Sequence, residues 1–365
     1  MNRENVQKEA LDIVLKHKRC GLGISMGLGK TRIAIQHFQK HYDPFIKALV
    51  VIPKLSIKES WIAELEKMNF GDLANHLIFT TYLSINKHDP KDYQIVYLDE
   101  CHSLLNNHEA FLSNYHGKIL GLTGTPPVRQ GTEKYRMVKK YCPIVYDFSV
   151  DEATDNNILN NYKIIVHQLE LDGRNNLKKK KKDGGHWFTS ELKDYQYCSR
   201  RIAEAQTQKQ MQFASIMRMR SLMDYGTKED YVKSIMNKIS SKCIVFANTQ
   251  DQADRICNHS YHSKNAKSEE NFDLFADGRI TKMSCVLQLS EGVTIPNLKQ
   301  GIIMHAYGNE RKTSQRIGRL LRLNPNDTAT CHILCYIDTI DEKWIADSLK
   351  GFDQNKIKYY NPLTN

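Results

Sequence analysis

A chain of 365 residues, 41% of them hydrophobic, is too long for one ordinary domain and predicts two. The formal net charge of +11 favours a polyanionic partner, of which nucleic acid is the commonest. No apolar run is long enough to span a bilayer, and the polar start MNRENVQKEA lacks the pattern of a secretory signal. The nine cysteines follow no disulfide or zinc spacing. We therefore expect a cytoplasmic protein with reduced thiols and no membrane contact.

The first motif along the chain is SMGLGKT, residues 25–31, followed by the helical pattern RIAIQHFQ. Glycines let a loop fold around phosphates with its N–H groups pointing inward, and the next helix presents its positive end to the same anion. Lys30 would then reach the β- and γ-phosphates of ATP, and Thr31 would bind Mg²⁺. The general pattern has glycine six residues before the lysine, where this chain has Ile24. The predicted nucleotide-binding residues are Met26, Gly27, Leu28, Gly29, Lys30 and Thr31.

Four β-rich runs follow, at 48–53, 77–82, 95–100 and 118–124. Between the first two, residues 55–68 carry apolar side chains at helical spacing, and Ser56 with Glu59 has the pattern of a capping box. Such alternation of strands and helices predicts a parallel sheet covered by helices on both faces.

The third of these runs ends in two carboxylates, in the sequence IVYLDECH at 95–102. Asp99 can hold Mg²⁺ through water, and Glu100 can orient and deprotonate an attacking water. Strands that end in a polar turn are common. Together with the phosphate loop, however, the pair predicts a site for phosphoryl transfer.

The second half repeats the alternation, with β-rich runs at 161–171, 242–248, 284–290, 300–306 and 331–337. Cys331, His332 and Cys335 match no zinc spacing and are interpreted as part of a buried strand. We predict two α/β lobes, residues 1–150 and 151–365.

An insertion in the second lobe is predicted at about 173–238. It begins with five consecutive lysines, 178–182, which are expected to be solvated and mobile. The helical, basic part that follows either contacts nucleic acid or packs with an ordinary solvated face. Trp187 and Phe188 could stack on bases, but burial as anchors of the insertion is the favoured interpretation.

Four motifs, MGLGKT, DECH, LTGTPP (122–127) and QRIGRLLR (315–322), occur in the order of superfamily 2 helicases and translocases, which the chain resembles over nearly its whole length. The resemblance implies two RecA-like lobes with an ATP site in the cleft between them. It implies that Arg319 is an arginine finger, that Arg322 also faces the phosphates, and that Gln315 couples nucleotide to lobe closure. A guanidinium can neutralise the charge that develops on the γ-phosphate.

The resemblance also implies roles for further residues. Gln7 occupies the place of an adenine-reading glutamine, and SEGVTIPN (290–297) would place Gly292 near the nucleotide and Ser290 near the nucleic-acid backbone. Thr123 and Thr125 would relay the nucleotide state. The proposed contacts to nucleic-acid phosphates, which ignore base sequence, are Lys54, Thr80, Thr81, Asn248 and Thr249.

The sequence thus predicts an ATP- and Mg²⁺-dependent DNA helicase or translocase that acts on duplex, branched or single-stranded DNA. It resembles both Swi/Snf-type remodelling ATPases and XPB- and UvsW-type repair helicases, which suggests fork, recombination or repair work and, if phage-encoded, the host cytoplasm. A monomer would suffice. The alternatives are an RNA helicase, a nucleic-acid clamp with a partner-dependent ATPase, and the motor subunit of a nuclease complex.

Overall fold

The computed structural model describes residues 1–180, 183–286, 295, 297–306, 313, 316–317, 320 and 326–362. The chain divides into two compact units. The first is Met1–Asn161 with Leu321–Asp327, and the second is Tyr162–Leu320 with Thr328–Asn365. The change of unit therefore follows Asn161, whereas the sequence suggested residue 150. Helix Val150–Asp155 still belongs to the first unit, and the next strand begins only at Asn161.

The first unit contains a six-stranded sheet in which every pair of neighbours is parallel. The strand order is β3-β2-β4-β5-β1-β6. The strands are β1 (Arg19–Ile24), β2 (Ala48–Ile52), β3 (Leu77–Thr81), β4 (Ile95–Asp99), β5 (Lys118–Thr123) and β6 (Ile144–Phe148). The helices are α1 (Arg3–Val14), α2 (Lys30–His41), α3 (Ile57–Lys67), α4 (Glu109–Leu112), α5 (Glu133–Tyr141) and α6 (Val150–Asp155).

The four β-rich runs of the first half all form strands of this sheet. Every residue of β2 and β4 is buried, which explains why both strands have continuous apolar patterns rather than alternating ones. Helix α3 begins one residue after Ser56, whose side chain makes no capping hydrogen bond, so the expected capping box is absent. Because the strands are parallel, their carboxyl ends share one edge, where ligands usually bind in such sheets.

The second unit contains a seven-stranded sheet of order β11-β12-β10-β13-β14-β7-β15 and a separate two-stranded hairpin, β8-β9. The strands are β7 (Asn161–Leu169), β8 (Leu177–Lys180), β9 (His186–Thr189), β10 (Cys243–Phe246), β11 (Ser260–Tyr261), β12 (Lys282–Cys285), β13 (Gln300–Ile303), β14 (Thr328–Tyr336) and β15 (Ile357–Tyr360). The described helices are α7 (Glu191–Ala203), α8 (Gln208–Asp224), α9 (Gly226–Lys238), α10 (Gln250–Ile256), α11 (Ser268–Ala276) and α12 (Ile340–Leu349).

A buried ion pair joins α9 to α12 inside the second unit. The ammonium of Lys228 lies 2.5 Å from Oδ2 of Asp341 and also donates to the carbonyls of Met304 (3.0 Å) and Leu334 (2.9 Å). Both charged side chains are almost fully buried, so removing either one would leave an uncompensated charge in the core. Helix α9 therefore belongs to the core, although it lies within the range predicted as an insertion.

The remaining part of the predicted insertion consists of the β8-β9 hairpin, α7 and α8. Lys178–Lys180 form β8, so the start of the lysine run is an ordered strand and not the mobile segment we expected. Trp187 and Phe188 are 45% and 62% exposed, which corrects their interpretation as buried anchors.

Cys331, His332 and Cys335 lie in β14, as the sequence indicated. Within the described ranges, no group of three or more His, Cys, Asp or Glu side chains is placed to hold a metal ion. Among the helices the structure describes, none is both long and apolar enough to cross a lipid bilayer.

Candidate nucleotide site of the first unit

The phosphate loop connects β1 to α2 at the carboxyl edge of the first sheet. Gly27 and Gly29 have φ angles of 84° and 93°, which only glycine adopts without strain. Gly29 is also the N-cap of α2 and has no side chain with which to cap it. The first N–H groups of α2 are therefore left for an anion, which is the arrangement that phosphate-binding loops require.

Lys30, the first residue of α2, turns back over this loop. Its Nζ donates a 3.0 Å hydrogen bond to the carbonyl of Ile24, the residue that departs from the general motif. A Cβ added to Gly124, just after β5, would lie 3.2 Å from the same ammonium. The lysine charge is thus held between the ends of β1 and β5, beside the loop whose N–H groups would bind phosphate.

Gln7 on α1 is buried against the phosphate loop. Its Nε2 donates a 2.7 Å hydrogen bond to the carbonyl of Leu28, and a Cβ added to Gly29 would lie only 2.4 Å from that nitrogen. The Arg3 guanidinium lies near the same point of Gly29, and burial lowers the pKa of Arg3. The sequence indicated Gln7 through the resemblance alone and did not single out Arg3, because nothing local to α1 shows what it packs against.

Asp99 and Glu100 lie at the end of β4, which neighbours β2 and β5. Oδ2 of Asp99 accepts a 3.0 Å hydrogen bond from the indole of Trp61 on α3, and its carbonyl accepts one of 2.8 Å from the hydroxyl of Tyr82. Burial raises the pKa of Tyr82 well above its usual value, so this hydroxyl remains a donor. Glu100 has φ 54° and ψ 53°, a left-handed conformation that is uncommon for a residue other than glycine.

A chain of polar contacts continues from Glu100 into the LTGTPP segment. Nδ1 of His102 lies 3.3 Å from a carboxylate oxygen of Glu100 and 2.7 Å from the hydroxyl of Thr123. That hydroxyl also accepts a 3.1 Å hydrogen bond from the backbone N–H of Thr125. His102 and Trp61 are two further residues at this site whose roles sequence reasoning missed. His102 could have been noticed inside DECH, whereas Trp61 had only the signal of a helix face.

The residues present fit a nucleotide with a bound Mg²⁺. The hydroxyl of Thr31 and the carboxylate of Asp99 are oxygen ligands of the kind that Mg²⁺ prefers. The hydroxyl of Ser25, which follows β1, is buried and has no hydrogen-bond partner within the described residues. A buried polar group without a partner points to a bound ligand or water. The site therefore combines a phosphate cradle, a cation and two carboxylates.

Three of the predicted nucleic-acid contacts lie at the same edge of the first sheet. Thr80 and Thr81 end β3, and Thr81 pairs with Ile52 at the end of β2. Lys54 follows β2 and is exposed, whereas Thr80 is buried. Only Lys54 and the half-buried Thr81 therefore present side-chain surface to a ligand.

Two of the three predicted contacts of the second unit, Asn248 and Thr249, support helix α10. The backbone N–H of Asn248 donates to Gln252 (2.9 Å), and the hydroxyl of Thr249 accepts from the N–H of Gln252 (3.2 Å) as the N-cap of α10. The amide of Asn248 lies 3.1 Å from the sulfur of Met223. These hydrogen bonds give Asn248 and Thr249 a structural role at the start of α10. The remaining predicted site residues lie outside the described residues: Ser290, Gly292, Gln315, Arg319 and Arg322.

The fold and the nucleotide site of the first unit define a phosphate-loop nucleoside triphosphatase. The family model for the Type III restriction enzyme res subunit matches residues 1–128, and the model for the helicase conserved C-terminal domain matches residues 227–324. The chain is a superfamily 2 helicase or translocase, built from two RecA-like units, and is an enzyme of the ATPase class.

Individual relatives agree with this family. The chain is 26% identical to the DNA 3'-5' translocase XPB2 of Sulfurisphaera tokodaii, with 90% of this chain and 80% of that protein covered. It is 32% identical to the African swine fever virus protein named "Putative ATP-dependent RNA helicase QP509L", over 33% of this chain and 29% of the viral one. The solved structure of the ATP-dependent Type ISP restriction-modification enzyme LlaBIII bound to DNA has a TM-score of 0.63 and 14% identity, with 100% of this chain and 31% of that one covered. At this identity, the last likeness concerns the fold alone.

Proposed function

We propose that the chain is an ATP-driven DNA motor that acts on duplex or branched DNA. The main support for DNA as the substrate is the match to a relative that is named as a DNA translocase. That match covers 90% of this chain. The net charge of +11 is consistent with a polyanionic track. Work in recombination, repair or fork remodelling is part of the same proposal, and a monomer would be sufficient for it.

The nucleotide site of the first unit supports specific roles in hydrolysis. Lys30 neutralises charge on the β- and γ-phosphates, beside the N–H groups of the phosphate loop. Glu100 orients the attacking water and accepts its proton, while the bond between the γ-phosphorus and the bridging oxygen breaks to give ADP and phosphate. Gln7 fixes the loop through the carbonyl of Leu28. Gln7 is also proposed to read the adenine base, as the resemblance implies.

Thr31 and Asp99 would hold Mg²⁺ through their side-chain oxygens, with the hydrogen bond from Trp61 fixing the orientation of the Asp99 carboxylate. When bound, this ion supplies further neutralisation of the phosphate charge. Arg319 and Arg322 are proposed to contribute guanidinium charge during transfer, and Gln315 to couple that step to movement. Gly292 is proposed to lie near the nucleotide, and Ser290, Asn248, Thr249, Lys54, Thr80 and Thr81 near the nucleic-acid backbone.

The chain of polar contacts from Glu100 through His102 to Thr123 and Thr125 supports a route for coupling. A change in the position of Glu100 during hydrolysis would reach the LTGTPP segment through its 3.3 Å contact with His102 and the 2.7 Å hydrogen bond between His102 and Thr123. We propose that this chain reports the nucleotide state to the nucleic-acid contacts.

Steady-state ATP hydrolysis tests the proposal, measured alone and with single-stranded DNA, linear duplex, a four-way junction or RNA at one low salt concentration. Strong stimulation by duplex or junction is the expected result. Displacement of a third strand from a DNA triplex would then separate movement along a duplex from strand separation. Absence of hydrolysis with every polymer would contradict an autonomous motor and favour the clamp with a partner-dependent ATPase.

An RNA helicase is the second candidate, because the viral relative with 32% identity is named for that activity. This match covers only 33% of the chain, which is why DNA is preferred. Stimulation by RNA and not by DNA would decide for it. A third candidate is the motor subunit of a nuclease complex, because residues 1–128 match the restriction-enzyme model. Co-purification with a nuclease would support it.

A further inference from the structure

The β8-β9 hairpin has two faces of different character. In an antiparallel pair, directly opposed residues share one face, and alternate residues along a strand share it too. Lys178 is opposed to Phe188, and Lys180 to His186. These four residues therefore form one face, and all four are exposed. We call this set, Lys178, Lys180, His186 and Phe188, the open face.

The opposite face carries Trp187, which is 45% exposed, and is anchored to the second unit by its other residues. The ammonium of Lys179 lies 2.9 Å from a carboxylate oxygen of Asp194 on α7, which is buried. At the end of β9, Thr189 is buried, and Ser190 is the N-cap of α7, where its hydroxyl accepts from the N–H of Lys193. The open face is thus presented from a fixed base, which lowers the entropic cost of using it in binding.

The open face combines positive charge with an uncovered aromatic ring. Residues 177–190 include five lysines and a single acidic residue, Asp183. Phe188 is 62% exposed, directly across from Lys178 and diagonal to Lys180. Lysines suit phosphates, and an aromatic ring stacks on any base whose face is uncovered. Bases within a continuous duplex have both faces stacked, so the matching ligand is an unpaired strand.

We propose that the open face of the β8-β9 hairpin binds a single-stranded segment of nucleic acid, with Lys178 and Lys180 on phosphates and Phe188 stacked on a base. This inference rests on the proposed function in requiring a nucleic-acid track. It adds a contact that none of the superfamily motifs contains, on the part of the second unit that lies outside its central sheet.

The test is a fluorescence-anisotropy titration of a labelled oligo(dT) with the full chain, without nucleotide, at several salt concentrations. Phe188→Leu should weaken binding by about tenfold, because stacking of one base is lost, whereas Phe188→Tyr should bind as the parent does. The double variant Lys178→Ala/Lys180→Ala should lower the slope of log affinity against log salt by about 1.4, which corresponds to two phosphate contacts on a single strand.

Matched controls separate this contact from general charge and hydrophobicity. Phe45→Leu changes a ring that is 89% exposed in the first unit, and Lys233→Ala/Lys343→Ala removes two exposed charges from helices of the second unit. Both controls should keep the parent's affinity and salt slope. Equal losses in the control lysine pair, or unchanged binding by Phe188→Leu, would overturn the proposal for the hairpin. Thermal melting checks that every variant is folded.

ATP hydrolysis shows whether the hairpin contact alone is wrong or the proposed function is wrong as well. If DNA stimulates hydrolysis normally while Phe188→Leu binds oligo(dT) as the parent does, the hairpin contact is wrong and the motor stands. If the parent binds no oligonucleotide and no polymer stimulates it, the proposed function fails, and the hairpin contact fails with it.

Discussion

The indole nitrogen of Trp61 donates a 3.0 Å hydrogen bond to Oδ2 of Asp99, and both side chains are buried. This bond joins helix α3 to the end of β4 and fixes one oxygen of the carboxylate proposed to hold Mg²⁺. Outer partners of metal ligands are often worth about 10- to 100-fold in metal affinity. Trp61 is therefore a positioning residue.

Trp61→Phe should retain most of the buried volume and lose the donor. We expect the Mg²⁺ concentration for half-maximal ATP hydrolysis to rise by about tenfold, with little change in the rate at saturating Mg²⁺. A magnesium titration of the steady-state rate measures this. Trp344→Phe, in the second unit, is the control and should leave the Mg²⁺ requirement unchanged. If Trp61→Phe and Trp344→Phe needed the same Mg²⁺ concentration, Trp61 would not be a positioning residue for the Asp99 carboxylate.

Glu100→Gln should abolish most hydrolysis while ATP still binds. The amide keeps the size of the side chain but cannot accept a proton from water, so we expect a loss of about 100-fold or more in the single-turnover rate. Binding of a fluorescent ATP analogue should be nearly unchanged. Glu66→Gln, on the exposed side of α3, is the matched control. A normal turnover rate in Glu100→Gln would show that another group is the base.

Gln7→Ala should raise the KM for ATP by about tenfold, because the phosphate loop loses a buried hydrogen bond to the carbonyl of Leu28. Gln7→Glu should be at least as damaging, since a carboxylate would face that carbonyl oxygen. Gln39→Ala, on an exposed position of α2, should behave as the parent. Measuring KM for both ATP and GTP tests the adenine-reading role, which requires the preference for ATP to shrink in Gln7→Ala.

Thr123→Val should separate hydrolysis from its stimulation by DNA. The substitution preserves shape but removes the hydroxyl that bonds both His102 and the N–H of Thr125. We expect basal hydrolysis near the parent's rate and a loss of about tenfold in DNA stimulation. Thr328→Val, at an exposed position of β14, is the control. If stimulation persisted in Thr123→Val, this chain of hydrogen bonds would have no part in coupling.

Acid should destabilise both units before their carboxylates titrate. Burial lowers the pKa of His37 in the first unit to about 3, and lowers those of His167 and His332 in the second to about 4. Between these values and the unfolded value near 6.5, only the unfolded chain binds the protons, so stability falls as the pH falls. His37 should cost up to about 2 kcal/mol of unfolding free energy between pH 7.5 and 5, and the hydrogen-bonded pair of His167 and His332 should also lower the stability of the second unit. Urea unfolding at pH 7.5 and 5 measures the difference.

The mutational check on this pH effect uses one buried and one exposed histidine. His37→Phe should reduce the pH dependence of the first unit's unfolding, although it also removes the 2.9 Å hydrogen bond to Tyr97. His116→Gln, at an exposed position, should leave it unchanged. Equal stability of the parent at both pH values would contradict the burial argument.

The sequence predicted four of the six strands of the first sheet, β2 to β5, and missed β1 and β6. Two of the predicted strands, β2 and β4, are buried along their whole length. β2 and β4 contain apolar runs that end abruptly in polar residues, and those ends hold Lys54 and the Asp99–Glu100 pair. The phosphate loop was equally visible, since its glycines and lysine lie within four residues of the sequence, 27–30. These features depend on neighbours in sequence, which local patterns describe.

Contacts between distant segments were not predictable in the same way. Trp61 and Gln7 were visible as positions on helices, but periodicity identifies a buried face and not the residue it meets. The lysine run was misjudged because composition indicated solvation. Within a strand, alternate side chains face opposite ways, so Lys179 pairs with buried Asp194 while Lys178 and Lys180 remain exposed.

The pairing of β15 with β7 has a consequence for synthesis on the ribosome. Tyr360 lies in register with His167, so the second sheet gains its last strand only when almost all of the described chain has been made. Every strand of the first sheet precedes residue 149, and that sheet can assemble while later residues are still being added. We therefore expect nascent chains arrested near residue 340 to carry a protease-resistant first unit and a protease-sensitive second one.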